Sequence, residues 1–467
     1  MFQSIDPATG APAHTIPEMT ADQVEAAVAR AAAAFRDWRL TPLEARAALL
    51  EAIAEEFDRH RERLARLATT EMGKTLKSAR AEVEKCAAGL RYYAQHGPAM
   101  LREIEVPSVG AARVRQVWLP IGPVLAVMPW NFPYWQVVRF LAPAIMAGNV
   151  GLLKHASLTQ GCASAIEEMV AAAGAPAGLF QNLAIRAGAV APLIADPRIA
   201  AVTLTGSEEA GAKVAAAAGS ALKKVVLELG GSDPFIVMPS ADLDRAVKTA
   251  VTARLQNAGQ SCICAKRMIV HAEIYDAFAE RFTEAMRAAK VGDPTDESVD
   301  LGPLSSAEQR DTVVAQLARF QAAGARLAGG EALPGKGAFL APGVLTDVPP
   351  RDPIAQEELF GPVAMLFRVA DIDEAIALAN DVPFGLGSSV WTNDAAEQAR
   401  FVRDLEAGMT AVNQMLASTP EAAFGGVKRS GHGRELGPWG MHEFMNLKTV
   451  TIADAPAPAP SPQVQGE

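Results

Sequence analysis

Apolar side chains recur at intervals of three and four along residues 20–97, with Arg and Glu at the positions between them. This spacing has the period of an amphipathic α-helix, which packs one stripe against a core and turns its charges to water. The pattern predicts helices over residues 22–38, 42–71 and 74–96. We interpret their charges as solvated faces and not as binding patches.

From about residue 114 the pattern changes to short β-rich runs separated by Ala-rich helical stretches. Strands that alternate with helices predict a parallel sheet. Because the alternation occurs in two successive units, we expect an α/β fold with two Rossmann-like lobes and a cleft between them. The predicted strands are residues 124–127, 150–153, 200–204, 224–227 and 234–237, and the predicted helices after them are residues 242–258 and 275–290.

The composition is that of an ordinary globular protein, with 467 residues, 50% of them apolar and 21% charged. A formal net charge of −10 argues against sequence-independent binding to nucleic-acid phosphates or to anionic lipids. Pro143 and Asn149 interrupt the longest weakly polar stretch, so we expect no membrane partner. The N-terminus shows no secretory signal and four cysteines are too few for a disulfide framework, which favours the cytoplasm. The Pro/Ala-rich residues 454–467 are predicted to be a disordered tail.

Sequence motifs for phosphate and metal binding are missing. Gly73-Lys74-Thr75 resembles the end of a P-loop, but the earlier glycine is replaced by Ala68 and no strand precedes the tripeptide. No G-x-G-x-x-G spacing occurs, so the usual Rossmann fingerprint is absent. Neither H-E-x-x-H nor C-x-x-C occurs, and a catalytic metal therefore has little support.

Three short motifs carry side chains suited to catalysis. Cys262 lies on a Gly-containing turn, where it is either a nucleophile or a buried structural cysteine. Glu228 lies at the end of a predicted strand, two positions before a pair of glycines that closes the motif of residues 228–231. It is either a general base with a raised pKa or an ion-paired surface residue. Asn131 lies between two prolines and either donates to an oxyanion or only forms a turn. Spacing alone leaves both interpretations open for each residue.

Taken together, the motifs resemble those of the aldehyde dehydrogenase superfamily in their order along about residues 5–450. They are residues 129–133, 204–207, 228–231, 259–262, 358–363 and 424–431. Within the superfamily the chain looks most like the bacterial NAD(P)-dependent succinate-semialdehyde dehydrogenases. Longer segments carry that likeness, namely residues 94–100, 130–139, 154–156 and 228–235.

The resemblance implies a covalent mechanism on a small aldehyde substrate. Cys262 would attack the aldehyde carbon, and its backbone N–H and the Asn131 side chain would hold the oxyanion. Hydride would pass to the nicotinamide, and Glu228 would deprotonate the water that hydrolyses the thioester. The implied reaction turns succinate semialdehyde into succinate. Glutarate semialdehyde or another ω-oxo acid, general aliphatic or aromatic aldehydes, and a catalytically silent protein of the same fold are the alternatives.

The resemblance also implies a nicotinamide dinucleotide that is bound without the usual fingerprint. Gly206 and Ser207 match the start of the helix that faces the pyrophosphate, and Lys154 matches the residue at the adenine ribose. NAD-selective members often carry Glu at position 157, where it would repel a 2′-phosphate. Ser157 therefore predicts that NADP is accepted and NAD is also used. The other implied cofactor residues are Trp130, Leu229, Glu358 and Phe360.

For the substrate, Arg139 matches an arginine that reads the distal carboxylate, Ser418 a second donor, and Trp135 a residue that lines the tunnel. Arg139 could equally be a structural ion-pair partner. Many succinate-semialdehyde enzymes have a further arginine where this chain has Gln256. Cys264 either forms a reversible disulfide with the nucleophile under oxidation or has a packing role.

By resemblance, the expected architecture has a cofactor domain of residues 1–98 and 120–227 and a catalytic domain of residues 228–429. A β-strand oligomerisation arm with the C-terminal strand would occupy residues 99–119 and 430–453, and would extend the sheet of a neighbouring subunit. The resemblance implies a homodimer or homotetramer.

Overall fold

The computed structural model describes residues 1–107 and 112–453, and the predicted tail of residues 454–467 lies outside this range. Two mostly parallel sheets of six and seven strands form the two lobes, and a three-stranded antiparallel sheet forms a third unit. The α/β fold with two lobes that the alternating pattern predicts is confirmed.

A two-stranded antiparallel sheet and four helices make up the N-terminal region. Its strands are β1 (Phe2–Ile5) and β2 (Pro12–Ile16), and its helices are α1 (Ala21–Trp38), α2 (Leu43–Arg59), α3 (Arg61–Met72) and α4 (Leu76–Met100). A capping box between Thr20 and Gln23 starts α1. The single helix predicted over residues 42–71 is two helices, because His60 leaves helical geometry with a ψ of 12°.

The three-stranded sheet is built by distant parts of the chain. β3 (Ile104–Val106) pairs with β4 (Ala112–Pro120), whose other edge pairs along its whole length with the C-terminal strand Met445–Ala453. Most side chains of that C-terminal strand are exposed.

The sheet of the first lobe reverses its strand order at its centre. Its parallel strands lie in the order β9-β8-β5-β6-β7, so the chain runs outward from β5 in one direction and from β8 in the other. Ligands of such sheets bind outside the carboxyl ends of the strands at the point of reversal. The strands are β5 (Pro123–Met128), β6 (Val150–His155), β7 (Phe180–Asn182), β8 (Ala201–Thr205) and β9 (Lys224–Glu228), and the helices are α5 (Trp135–Ala147), α6 (Gln160–Ala172), α7 (Val190–Ala195) and α8 (Glu208–Ser220).

Helix α5 is buried around its whole circumference. It packs between α2 and α4 on one side and β5 and β6 on the other, which explains why its sequence is apolar on every face. Among the described residues, no helix combines the length and the apolar character needed to cross a membrane.

The second lobe has a sheet of order β12-β13-β14-β11-β10-β16-β17, parallel except between β12 and β13. A short 3₁₀ helix, Gln256–Gly259, follows α9 and leads into the turn that carries Cys262. The strands of this sheet are β10 (Asp233–Val237), β11 (Ala265–His271), β12 (Arg326–Gly329), β13 (Gly343–Thr346), β14 (Val363–Val369), β16 (Gly387–Trp391) and β17 (Met409–Val412). A further strand, β15 (Phe384–Gly385), pairs with residues 427–428 in a separate two-stranded sheet. The helices are α9 (Leu243–Leu255), α10 (Tyr275–Ala288), α11 (Ala307–Ala322), α12 (Ile372–Asn380) and α13 (Ala395–Asp404).

The C-terminal segment returns to the first lobe before it joins the third sheet. It contains β18 (Val427–Lys428), β19 (Gly431–His432), α14 (Gly437–Glu443) and β20 (Met445–Ala453). β19 pairs with β9, and α14 packs against α5. Within residues 430–453, β19 thus extends the first sheet and β20 enters the three-stranded one.

Candidate active site

A cavity of about 290 Å³ lies at the carboxyl ends of β5 and β8 and reaches side chains of the second lobe. The point of strand reversal is therefore the crevice where a ligand is expected. Eight of the site residues expected from the sequence line this cavity, namely Trp130, Asn131, Gly206, Ser207, Leu229, Cys262, Glu358 and Phe360.

The turn before the expected nucleophile has a strained backbone. Asn257 and Ala258 have φ angles of 52° and 53°, a left-handed conformation that costs an ordinary residue about 1–2 kcal/mol. Gly259 follows with a φ of 74°, and a Cβ there would lie 2.2 Å from the carbonyl oxygen of Gly361. Only glycine fits this approach, and strain that the surroundings hold in place is a mark of functional turns.

A buried lysine fixes the backbone at Cys262. Lys266 donates to the carbonyl oxygens of Ser261 and Cys262, each at 2.8 Å, and forms an ion pair with Glu358 at 3.1 Å. The Cys262 side chain is partly exposed, yet burial raises the pKa of its thiol to about 12, while Arg139 and Lys266 act in the opposite direction. In this state the thiol is protonated at neutral pH, so its attack requires loss of that proton.

The Asn131 side chain is held in one orientation. Its amide nitrogen donates to the carbonyl of Gln260 at 3.0 Å, and its oxygen accepts from Gln136 at 2.9 Å. The main-chain carbonyl of Asn131 accepts a hydrogen bond from the side-chain amide of Asn257 at 2.8 Å. This bond connects the Asn131 loop to the strained turn. An amide group has two N–H donors, and among the described residues only the Gln260 carbonyl accepts from this one, so one N–H remains for an anion in the cavity shared with Cys262.

Glu228, at the end of β9, is buried with 2% of its surface exposed. Neither carboxyl oxygen has a hydrogen-bond partner within the part of the chain that the structure describes. Burial, and after it the nearby charge of Glu435, raises the pKa of Glu228 well above its ordinary value. These features exclude an ion-paired surface glutamate and are those of a carboxyl group that can exchange a proton.

The start of helix α8 faces the same crevice. Ser207 caps this helix by accepting from the backbone N–H of Ala210, and Gly206 precedes the cap. Free N–H groups and the helix dipole favour an anionic group at such a terminus. At the end of the neighbouring β6, Lys154 is partly buried, which lowers the pKa of its ammonium group, and Ser157 is exposed.

Two aromatic rings and a carboxylate complete this side of the cavity. Trp130 and Phe360 meet edge to face with their centroids 5.8 Å apart. Glu358 accepts from the backbone N–H of Gly231 at 3.2 Å, and Leu229 packs closely on α8 at Gly211. Side chains from both lobes thus line the same cavity.

Arg139 has the contacts of a structural ion pair, the alternative left open for it. Its guanidinium is 3% exposed, forms an ion pair with Glu435, and donates to the Thr205 hydroxyl at 3.1 Å. It also lies 4.5 Å from the ring of Phe424. A substrate carboxylate at Arg139 would have to compete with Glu435.

Trp135 and Ser418 are in contact, and a residue that the motifs do not indicate joins them. The Trp135 indole N–H donates to the Ser418 hydroxyl at 2.8 Å. The Lys85 ammonium donates to the same hydroxyl at 2.9 Å and lies 4.4 Å from the Trp135 ring. Lys85 is part of the charged pattern of α4, and nothing in that pattern separates it from the exposed Lys77 of the same helix.

Cys264 is buried two residues beyond the nucleophile, and burial raises the pKa of its thiol. Its sulfur donates to the carbonyl oxygen of Gln256 at 3.5 Å. This contact suits a packing role at the base of the turn, and the disulfide with Cys262 stays a prediction.

Comparison with known proteins gives a match along nearly the whole chain. A model of the aldehyde dehydrogenase family matches residues 1–450. The chain is 54% identical to succinate-semialdehyde dehydrogenase (NADP+) of Mycolicibacterium paratuberculosis, over 96% of each protein. It is 52% identical to succinate-semialdehyde dehydrogenase (NADP+) 1 of Mycobacterium tuberculosis, over 96% of this chain and 99% of that protein. The structure of succinic semialdehyde dehydrogenase from Streptococcus pyogenes with NADP+ superposes with a TM-score of 0.95 at 38% identity, over 97% and 100% of the two chains.

Proposed function

Because the chain belongs to the aldehyde dehydrogenase family, we propose that it oxidises succinate semialdehyde to succinate with NADP as the hydride acceptor. The observation that carries the proposal is the single cavity that joins Cys262, the free amide donor of Asn131 and a helix N-terminus. The names of its relatives supply the substrate and the cofactor.

In the proposed mechanism Cys262, Asn131 and Glu228 each have a separate chemical role. The Cys262 thiol loses its proton to water at its exposed edge, and its sulfur bonds to the aldehyde carbon. The carbonyl oxygen becomes an anion, which the Asn131 amide and the Cys262 backbone N–H stabilise. NADP, held by the cofactor residues described below, would supply the acceptor for the hydride of that carbon. Because its raised pKa keeps a proton on Glu228, that proton must first leave to solvent. The Glu228 carboxylate then takes a proton from the water that attacks the thioester, succinate leaves, and the Cys262 sulfur is restored.

The cofactor residues fit a dinucleotide that carries a 2′-phosphate. The N-terminus of α8, with Gly206 and Ser207, favours the pyrophosphate. Ser157 presents a hydroxyl where a carboxylate would repel the phosphate, and Lys154 lies three residues before it. Trp130, Leu229, Glu358 and Phe360 would enclose the nicotinamide half. We expect NAD to be used as well, with lower efficiency.

We also propose that the protein forms a homodimer or homotetramer through its three-stranded sheet. Ile104, Leu447 and Ile452 of this sheet are exposed apolar side chains, which a second copy would cover. All four cysteines are free thiols, which suits the cytoplasm. We assign residues 1–98 and 120–227 to cofactor binding and residues 228–429 to catalysis.

Steady-state kinetics with a panel of aldehydes, each measured with NADP and with NAD, test the proposal. We expect the highest kcat/KM for succinate semialdehyde with NADP, and lower values for glutarate semialdehyde, butanal and benzaldehyde. A neutral aldehyde as the best substrate would contradict the assignment of succinate semialdehyde. A marked preference for NAD would contradict the assignment of NADP.

A further inference from the structure

We propose that Lys85 is the residue that binds the distal carboxylate of the substrate, together with the hydroxyl of Ser418. This inference rests on the proposed function, since it requires an aldehyde that carries a carboxylate. It assigns substrate specificity to a lysine on helix α4 that no motif indicates.

The charges around the cluster of Lys85, Ser418 and Trp135 leave one cation without a counter-charge. Arg139 is neutralised by its ion pair with Glu435, and Lys74 by its buried ion pair with Glu82. Across the described ranges, Lys85 has no carboxylate within 4.0 Å. A partly buried ammonium group without such a partner favours an anionic ligand.

The hydrogen bonds of Ser418 leave its hydroxyl as a donor. A serine hydroxyl has two lone pairs and one hydrogen. The lone pairs accept from Lys85 and from the Trp135 indole. Among the described residues no group accepts the hydrogen, so it is free to donate to a ligand. Lys85 and Ser418 therefore present donors that are already oriented before a carboxylate arrives.

The two segments that carry these donors also line a second cavity, of about 660 Å³. Ala81, one helical turn before Lys85, lies on its wall, and so does Met415, three residues before Ser418.

The electrostatic state of Lys85 agrees with this role. Burial, and after it the positive charge of Arg139, lowers the pKa of Lys85 to about 8. The ammonium form is thus less stable than that of an exposed lysine, and a bound carboxylate would stabilise it.

Steady-state kinetics with succinate semialdehyde and its neutral methyl ester test the inference. Hydrogen bonds to charged groups contribute about 1.5–3 kcal/mol, so Lys85→Met should lower kcat/KM for succinate semialdehyde about 10- to 100-fold. The loss should lie mainly in KM, and kcat/KM for the ester should stay within about twofold. Lys85→Arg should recover part of the loss, and Ser418→Ala should show a smaller loss confined to the charged substrate.

Lys248→Met is the matched control, because Lys248 is an exposed lysine on helix α9 and is not part of the wall of the second cavity. It should leave the preference for succinate semialdehyde over the ester unchanged, and an equal loss from this variant would overturn the assignment of the charge to Lys85. The assignment is also overturned if Lys85→Met keeps the wild-type preference for succinate semialdehyde over the ester, or lowers kcat/KM for both substrates equally. If the wild-type enzyme itself shows no preference for the charged substrate, the proposed function fails instead.

Discussion

Replacement of Glu228 by glutamine should stop the enzyme after its first half-reaction. Glutamine keeps the shape of the side chain but cannot take a proton from water, and such proton transfer contributes about 10²- to 10⁴-fold to rates. Acylation of Cys262 and hydride transfer precede that step. Glu228→Gln should therefore form one NADPH per active site rapidly and then turn over about 100- to 10,000-fold more slowly than the wild type.

Rapid mixing of enzyme, NADP and succinate semialdehyde, followed by absorbance of NADPH, separates the two phases. The exposed Glu273→Gln is the control and should turn over as the wild type does. If Glu228→Gln loses the initial burst of NADPH to the same extent as it loses steady-state turnover, the assignment of Glu228 to thioester hydrolysis is refuted.

The same variant tests the state of the buried carboxyl group by its unfolding. Because the pKa of Glu228 is raised in the folded protein, the folded protein keeps a proton that the unfolded chain releases. Wild-type stability should fall as pH rises above the ordinary carboxyl range, by about 1.4 kcal/mol per pH unit until the raised pKa is reached. Glu228→Gln lacks this proton and should gain stability relative to the wild type as pH rises above the ordinary carboxyl range. A difference that does not change with pH would show that the carboxyl group is not protonated in the folded state.

Three further substitutions test other parts of the site. Asn131→Ala removes an oxyanion donor and should lower kcat about 100- to 1,000-fold while the Kd for NADP stays similar; unchanged turnover would remove Asn131 from the site. Ser157→Glu places a carboxylate near the expected 2′-phosphate and should lower kcat/KM for NADP about tenfold or more but not for NAD, so an equal loss for both would contradict the assignment. If Cys264 forms a disulfide with the nucleophile, dithiothreitol should reverse peroxide inactivation of the wild type; inactivation that dithiothreitol does not reverse, or that persists in Cys264→Ala, would favour the packing role.

The parts of the fold that could be predicted from sequence are those with local signals. Strands such as β5 and β8 are short apolar runs between helices, and the structure has them within a residue or two of the expected bounds. The resemblance to the aldehyde dehydrogenase family, and within it to the succinate-semialdehyde enzymes, is confirmed. The break at His60 was not predictable, because the amphipathic period continues on both sides of it.

The parts that could not be predicted depend on contacts between distant residues. β19 has only two residues and takes its place from pairing with β9, about two hundred positions earlier. Lys85 lies 333 positions from Ser418, so its hydrogen bond leaves no trace in local spacing. For Glu228, a strand end with two glycines is compatible with either a surface or a buried carboxylate, and only packing of the C-terminal segment decides between them.

The central claim is that the Cys262 sulfur carries the acyl group, and the mass of a trapped intermediate tests it most directly. Glu228→Gln, mixed with NADP and succinate semialdehyde and quenched in acid, should gain the mass of one succinyl group. Peptide mapping should locate this group on Cys262 and not on Cys86, Cys162 or Cys264. A succinyl group on another residue, or NADPH formed in the burst with no covalent adduct, would contradict the account.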